Sequence, residues 1–490
     1  MTDTQAAGTR AAGTRAAGTR APDQVTAIPP AAAREPAPLS RSGAANRPAS
    51  LARNLARLSP RSRSGKPAPL LRNAYALMTN TVVTGVLGLA YWLLAARRYA
   101  AADVGRASAA YSAMNLLAGI TALSLIGAMA RFLPQSGRRT GLMIRRGYGL
   151  SAATAIAGSI IFLLIVVRPG SSYAELAGLG AGAVFVGCVV IWSLFTLQDG
   201  ALVGLRSARW VAVENALFGV AKIGMLLPLA VILPHTGLYV SWMAPAIVAV
   251  PAVNLLIFRR LLPRHAERAG DSPPPSSRQV GRFLAGDVTG ALCLLATVNL
   301  VPVLVAASVG PGRNAYFFMA WAIGVMIDML ALNMALSLTV EGAFEPARLA
   351  THCRAALRRT LLLLVPIAVG TVLFAPRILG LFGPGYARYG APILELLAVA
   401  TLPRTVTELY LGALRAQSRT TLVALIQGMR AVLILGLALA LTDAIGIVGA
   451  GVAVLASQVI MAVVVLPGLL KMLADGRRKS ASPAPGSAAR

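Results

Sequence analysis

Cysteine, histidine, lysine and acidic side chains are all scarce in this chain of 490 residues. Three cysteines (Cys188, Cys293 and Cys353) lie far apart, at no spacing that suits a disulfide framework or a metal site. The three histidines (His235, His265 and His352) fall in polar segments without a carboxylate or thiol at ligand spacing. Lysine occurs only at positions 66, 222, 471 and 479, so the basic residues are almost all arginine. No glycine-rich phosphate loop follows a strand pattern, which excludes ATP as a fuel bound by this chain itself. Catalysis finds no support in these residues, and no cofactor is expected.

Apolar sequence is abundant instead. Hydrophobic residues make up 56% and charged residues 13% of the chain, against about 25% charged in soluble domains. Twelve apolar runs are read at 76–96, 108–130, 148–167, 176–197, 211–233, 238–258, 283–309, 315–340, 360–375, 391–414, 420–441 and 446–470. About 20 apolar residues in a helix cross the hydrocarbon core of a bilayer. In lipid the backbone must satisfy its own polar groups, so such runs are helical. The fold class expected is an all-α polytopic membrane protein with about 12 transmembrane helices. The divisions are a basic tail at 1–72, helices 1–6 at 73–258, a linker at 259–282, helices 7–12 at 283–473 and a second tail at 474–490. The first tail contains three copies of AAGTR and no aromatic residue, a composition unable to bury a core.

The formal charge of +29 would suggest nucleic acid in a soluble protein. Its placement says otherwise. With the first run entering from the cytoplasm, the internal loops hold 19 Arg and Lys residues and the external loops hold 7. That is the positive-inside pattern. It places both termini in the cytoplasm, with no cleaved leader, and removes nucleic acid as a partner. The linker, with its Pro273-Pro274-Pro275, separates six runs from six, so both halves enter the membrane in one orientation. Two parallel six-helix lobes are therefore expected. Short matches support a duplication: Gly200-Ala201-Leu202 with Gly412-Ala413-Leu414, and Gly105-Arg106 with Gly312-Arg313.

Ionisable groups at lipid depth cost about 2.5–3.5 kcal/mol on insertion scales and need partners or a polar cavity. Lys222, Asp328, Arg404 and Arg430 fall near mid-span, with Glu214 and Asp287 nearer the ends. Aligning the halves on Arg209 and Arg419 brings Lys222 within two positions of Arg430. Two related cations facing a central cleft would suit an anionic head group such as a diphosphate. Arg404 is a further candidate for that site. Arg404 and Glu408, four apart, could instead satisfy each other on one helix face. Lys222 could equally pair with Asp328 and serve packing alone. Asp287 and Asp328, with Asn299 or Asn333, are candidates for coupling Na+ or H+; the membrane potential alone is the third source of drive.

Several stretches resemble bacterial polysaccharide transporters, the Wzx-like flippases of the multidrug/oligosaccharidyl-lipid/polysaccharide exporter superfamily. They are YWLLAARRY (91–99), DVGRASA (103–109), ARFLP (130–134), LQDGALVGLRSARW (197–210), TVEGAFEPARL (339–349) and LFGPGYARYGAPILELLAVATLPR (381–404). The resemblance implies two six-helix lobes around a cavity that opens to either side in turn. It also implies export of an undecaprenyl-diphosphate-linked glycan across the bacterial inner membrane. Glycosyltransferases or a polysaccharide polymerase would be further partners. Related lipid II flippases carry cavity arginines in their first two helices, whereas this sequence has no mid-span cation there. The alternatives are a multidrug antiporter of the same superfamily, and a polymerase, ligase or non-transporting component of glycan assembly.

Overall fold

The computed structural model describes residues 69–269, 278, 292–293 and 295–481, and helices dominate them. We number the long ones α1 (Pro69–Arg98), α2 (Ala101–Phe132), α3 (Thr140–Val166), α4 (Leu179–Gly204), α5 (Arg209–Ile232) and α6 (Gly237–Leu256). After the linker come α7 (Val301–Ser308), α8 (Pro311–Phe344), α9 (Leu349–Gly380), α10 (Pro384–Ala416), α11 (Thr420–Ile445) and α12 (Ile447–Ala481). Each falls on one of the twelve apolar runs. Eight described helices are long and apolar enough to cross a membrane by length and composition. The expected tails lie largely outside the described residues, as do Asp287 and half of the linker.

Two helices differ instructively from the sequence reading. The run at 360–375 is the middle of the 32-residue α9, whose polar first turns extend the helix beyond the apolar stretch. The described part of the seventh run opens with a π turn at Ala296–Leu300. Pro302 follows at once; it has no N–H and its ring crowds the carbonyl four residues back. A wider turn relieves that conflict.

The two halves repeat one packing scheme. In the first half α2 packs on α4, α4 on α3 and α6, α5 on α1 and α6. In the second, α8 packs on α10, α10 on α9 and α12, α11 on α7 and α12. Glycines admit the closest crossing in each: a Cβ at Gly200 would lie 2.9 Å from Ile126 Cα on α2, and one at Gly412 would lie 2.6 Å from the Ala335 carbonyl oxygen on α8. The duplication signal at these glycines is thus a packing signal.

The turns that follow are superimposable in chemistry. Arg206 (φ 56°) and Ser418 (φ 57°) are the positive-φ residues other than glycine, an uncommon state. They terminate α4 and α10 with one hydrogen-bond pattern. Arg206 N–H donates to Val203 O and Ser207 N–H to Leu202 O, as Ser418 N–H donates to Arg415 O and Arg419 N–H to Leu414 O. The 3-10 turns Gly137–Arg139 and Pro346–Arg348 likewise precede α3 and α9.

The halves meet along α2 and α8 and are joined firmly at one end. Asn314 Nδ2 donates to the Gly105 carbonyl at 2.9 Å. Ser172 donates through N–H to Ala306 O (3.0 Å) and through Oγ to Val309 O (3.1 Å). Arg97 Nε donates to Leu381 O at 2.5 Å. At Gly105 there is no room for a Cβ against the Pro311 carbonyl.

Candidate functional site: a central cavity with cations behind its walls

A cavity of about 290 Å³ lies on the seam. Trp92 on α1, Tyr111 and Asn115 on α2, Asn299 in the π turn, and Phe318 and Trp321 on α8 give it its character. Its described lining contains no charged side chain. Of the residues singled out from sequence, only Asn299 is among those walls. Asn333 is exposed on α8, away from the cavity.

Lys222 stands one ring behind the wall of the first half. Its side chain is buried, and its ammonium lies 3.7 Å from the ring centre of Trp242, 4.9 Å from Tyr91 and 5.1 Å from Phe218. Trp242 in turn touches the cavity-lining Tyr111 and Trp92, at centroid distances of 4.5 and 5.9 Å. Among the described residues no carboxylate is within ion-pairing distance of Lys222. Ring faces attract the cation, but they leave it without a counter-charge. The suggested pairing of Lys222 with Asp328 does not occur.

The second half fills the corresponding region with ion pairs. Arg404 Nη1 donates to Asp328 Oδ2 at 2.5 Å. Arg430 Nη1 donates to Glu408 Oε1 at 2.5 Å and Nη2 to Gln427 Oε1 at 2.7 Å. Arg404 Nε is 3.8 Å from Glu408, so the expected helix-face pair is the weaker contact of a five-residue network. Asp328, offered as an ion-coupling acid, is the counter-ion of Arg404. The cluster borders a void of about 20 Å³, room for about one water. Trp321, Val298 and Val325 line both this void and the central cavity. Lys222 and Arg430 therefore do not face each other across open space: each sits one layer back, on its own side.

The turn register revises their relationship as well. Arg206 matches Ser418, a shift of 212 positions. Arg430 then corresponds to Phe218, one helical turn from Lys222, and Arg404 corresponds to Trp192. Rings in one half stand where guanidinium groups stand in the other.

The aromatic cluster was not singled out from sequence. Trp92, Tyr111, Trp192, Phe195, Phe218 and Trp242 pack mostly edge to face or obliquely, Trp192 and Phe195 face to face, with Phe318 joining from the other half at 4.9 Å from Trp92. A signal existed: tryptophan favours the membrane–water interface, yet four of the five tryptophans fall inside apolar runs.

A further acid is buried in the first half. Both carboxylate oxygens of Glu214 are inaccessible and accept no hydrogen bond. Nearby Asp199 accepts only long contacts from Asn215, at 3.4 Å. A buried charge without partners is costly, so the neutral amide should serve as well as the acid. Glu214→Gln is expected to leave the thermal midpoint in detergent unchanged or raise it; a fall of several degrees would reveal a partner for the charge.

No protein-family model matches this chain. No curated protein matches it either. Solved structures do match in fold. An inward-facing multidrug resistance MATE family transporter of the MOP superfamily is 15% identical, with 84% of this chain aligned to 100% of that one at a TM-score of 0.63. The lipid II flippase MurJ in an inward closed conformation is 12% identical, over 83% of this chain and 91% of that one, at 0.62. An outward-facing MATE transporter is 17% identical over 84% and 96%, at 0.54. The chain thus has the multi-pass helical fold of MATE transporters and MurJ.

Proposed function

We propose that this protein is a transporter that moves an undecaprenyl-diphosphate-linked oligosaccharide or polysaccharide precursor from the cytoplasmic to the external leaflet of a bacterial inner membrane. The observation that carries this reading is the central cavity: it presents rings and two amides, no carboxylate among its described walls, and a lysine without a counter-ion one ring behind. Rings pack on the C–H faces of sugars, Asn115 and Asn299 offer hydrogen bonds to hydroxyls, and Lys222 offers a charge to phosphate oxygens. The loop charges support an external position for the joined end of the seam. An inside-negative potential favours outward movement of an anion by about 2.3 kcal/mol per charge per 100 mV, so the potential is a sufficient bias in principle.

The aromatic walls favour one other reading, a multidrug antiporter, because rings also bind organic cations. Such a site would be expected to place an accessible acid beside them. Asp328, the nearest candidate, is bound to Arg404.

Vesicles containing the purified protein separate the two. They should translocate a fluorescent undecaprenyl-diphosphate glycan and should not accumulate an organic cation such as ethidium. Lys222→Met, which removes a costly buried charge and fills the same space, should fold normally and lower glycan translocation at least ten-fold, with partial recovery in Lys222→Arg. Undiminished translocation by the methionine variant, or uptake of ethidium alone, would refute the proposal.

A further inference from the structure

A cavity of about 660 Å³ is separate from the central one and shares no lining residue with it. It opens between the start of α9, the end of α10 and α12, and its lining includes Leu349, Tyr410, Leu414, Arg419, Lys471 and Met472. The turn that ends α10 fixes Arg419 at its mouth, and Lys471 comes from α12. Neither cation has a carboxylate partner among the described residues. Two of the described acids at this end are engaged elsewhere: Glu345 lies 3.7 Å from Arg348, and His352 is 3.4 Å from Glu345 and 3.8 Å from Glu341.

The internal repeat shows that this cleft is a vacant position in the architecture. In the first half the equivalent place, beside Gly137–Arg139 and the start of α3, is covered by the short helix Leu262–Ala269 that follows α6. Leu262 abuts Gly141, and His265 Nε2 is 3.3 Å from Leu133 O. In the second half α12 runs on as one helix to Ala481, so among the described residues no segment after α12 turns back. The chain beyond Asp475 contains arginine and lysine but no acid, which makes it a poor occupant of a basic cleft.

Two features fix the chemistry of the occupant. Arg419 lies in the turn between α10 and α11, and Lys471 directly follows the last apolar run; both are thus at the depth of lipid phosphates, where basic clefts attract anionic head groups. Just along α12 from the cleft, Leu466 and Leu470 are 41% and 55% exposed, a surface for acyl chains. We infer that this cleft binds an anionic phospholipid of the surrounding membrane, its phosphate between Arg419 and Lys471 and its chains along α12. A soluble phosphate would use the cations but not the apolar floor.

Native mass spectrometry of the full chain, extracted from vesicles of equal phosphatidylglycerol and phosphatidylcholine, tests this. The wild type should retain phosphatidylglycerol in preference to phosphatidylcholine. Arg419→Gln/Lys471→Gln should lose at least three-quarters of that excess with an unchanged thermal midpoint. Arg419→Lys/Lys471→Arg, which keeps both charges, should retain it. Glycerol phosphate at millimolar concentration should not displace the lipid. Equal retention of both lipids, an undiminished excess in the glutamine variant, loss of the excess in the charge-keeping variant, or displacement by glycerol phosphate would each overturn the inference.

Discussion

Arg430→Met should destabilise the folded protein by about 3–5 kcal/mol, the cost of leaving one member of a buried ion pair alone. Arg430 and Glu408 are each 1% exposed, and one Glu408 oxygen already lacks a hydrogen-bond partner. Removing the guanidinium strands the carboxylate, with Arg404 at 3.8 Å and the more distant Arg415 to compensate. The double variant Arg430→Met/Glu408→Leu replaces the pair by apolar volume and should recover most of the loss, because well-packed isosteres commonly match buried ion pairs. Thermal unfolding of both single variants and the double variant in detergent measures the coupling; simple additivity would show that the pair does not act as one unit. Loss of transport in an Arg430 variant would therefore report damaged packing before it reported a lost substrate contact. Lys222, ringed by aromatic side chains and without a carboxylate partner among the described residues, is the cleaner position to probe.

Gly105→Val should prevent the two halves from closing at the end joined by Asn314 and Ser172. The missing Cβ at Gly105 is what allows α2 to rest on the Pro311 carbonyl, and the Asn314–Gly105 hydrogen bond depends on that approach. Neither backbone can yield without separating α2 from α8. In the proposed cycle this holds the external side open and abolishes turnover. Spin labels at Ala100 and Leu381, introduced by Ala100→Cys and Leu381→Cys after replacement of the native cysteines, should show a longer distance in Gly105→Val than in the parent. An unchanged distance would mean that the seam closes by another route. Gly88→Ala, at a cavity-lining glycine with open space around it, is the control that should leave the distance unaltered.

The helices were legible because hydrophobic runs of membrane length have few alternatives. The repeat was legible at Gly200 and Gly412 because close crossing of backbones demands glycine. What the residues could not disclose was direction. Lys222 and Arg430 read alike as mid-membrane cations, yet one points into rings and the other into a carboxylate. Asp328 read as a free acid because its partner, Arg404, lies 76 positions away on another helix. Arg404 and Glu408 suggested a local pair by spacing alone, while tertiary neighbours at 2.5 Å took each of them. The aromatic wall went unread because its members are scattered from Trp92 to Phe318, with no local period.

The rings opposite the guanidinium groups give the two halves different mechanical characters. Stacked rings can slide over one another and keep most of their contact, since dispersion has little directionality. A guanidinium–carboxylate fork has no such freedom: a small rotation breaks its bonds and exposes buried charge. The half bearing Lys222 is thus the compliant one and the half clamped by its ion pairs the stiff one, so displacement around the cavity is expected to fall chiefly on the compliant side.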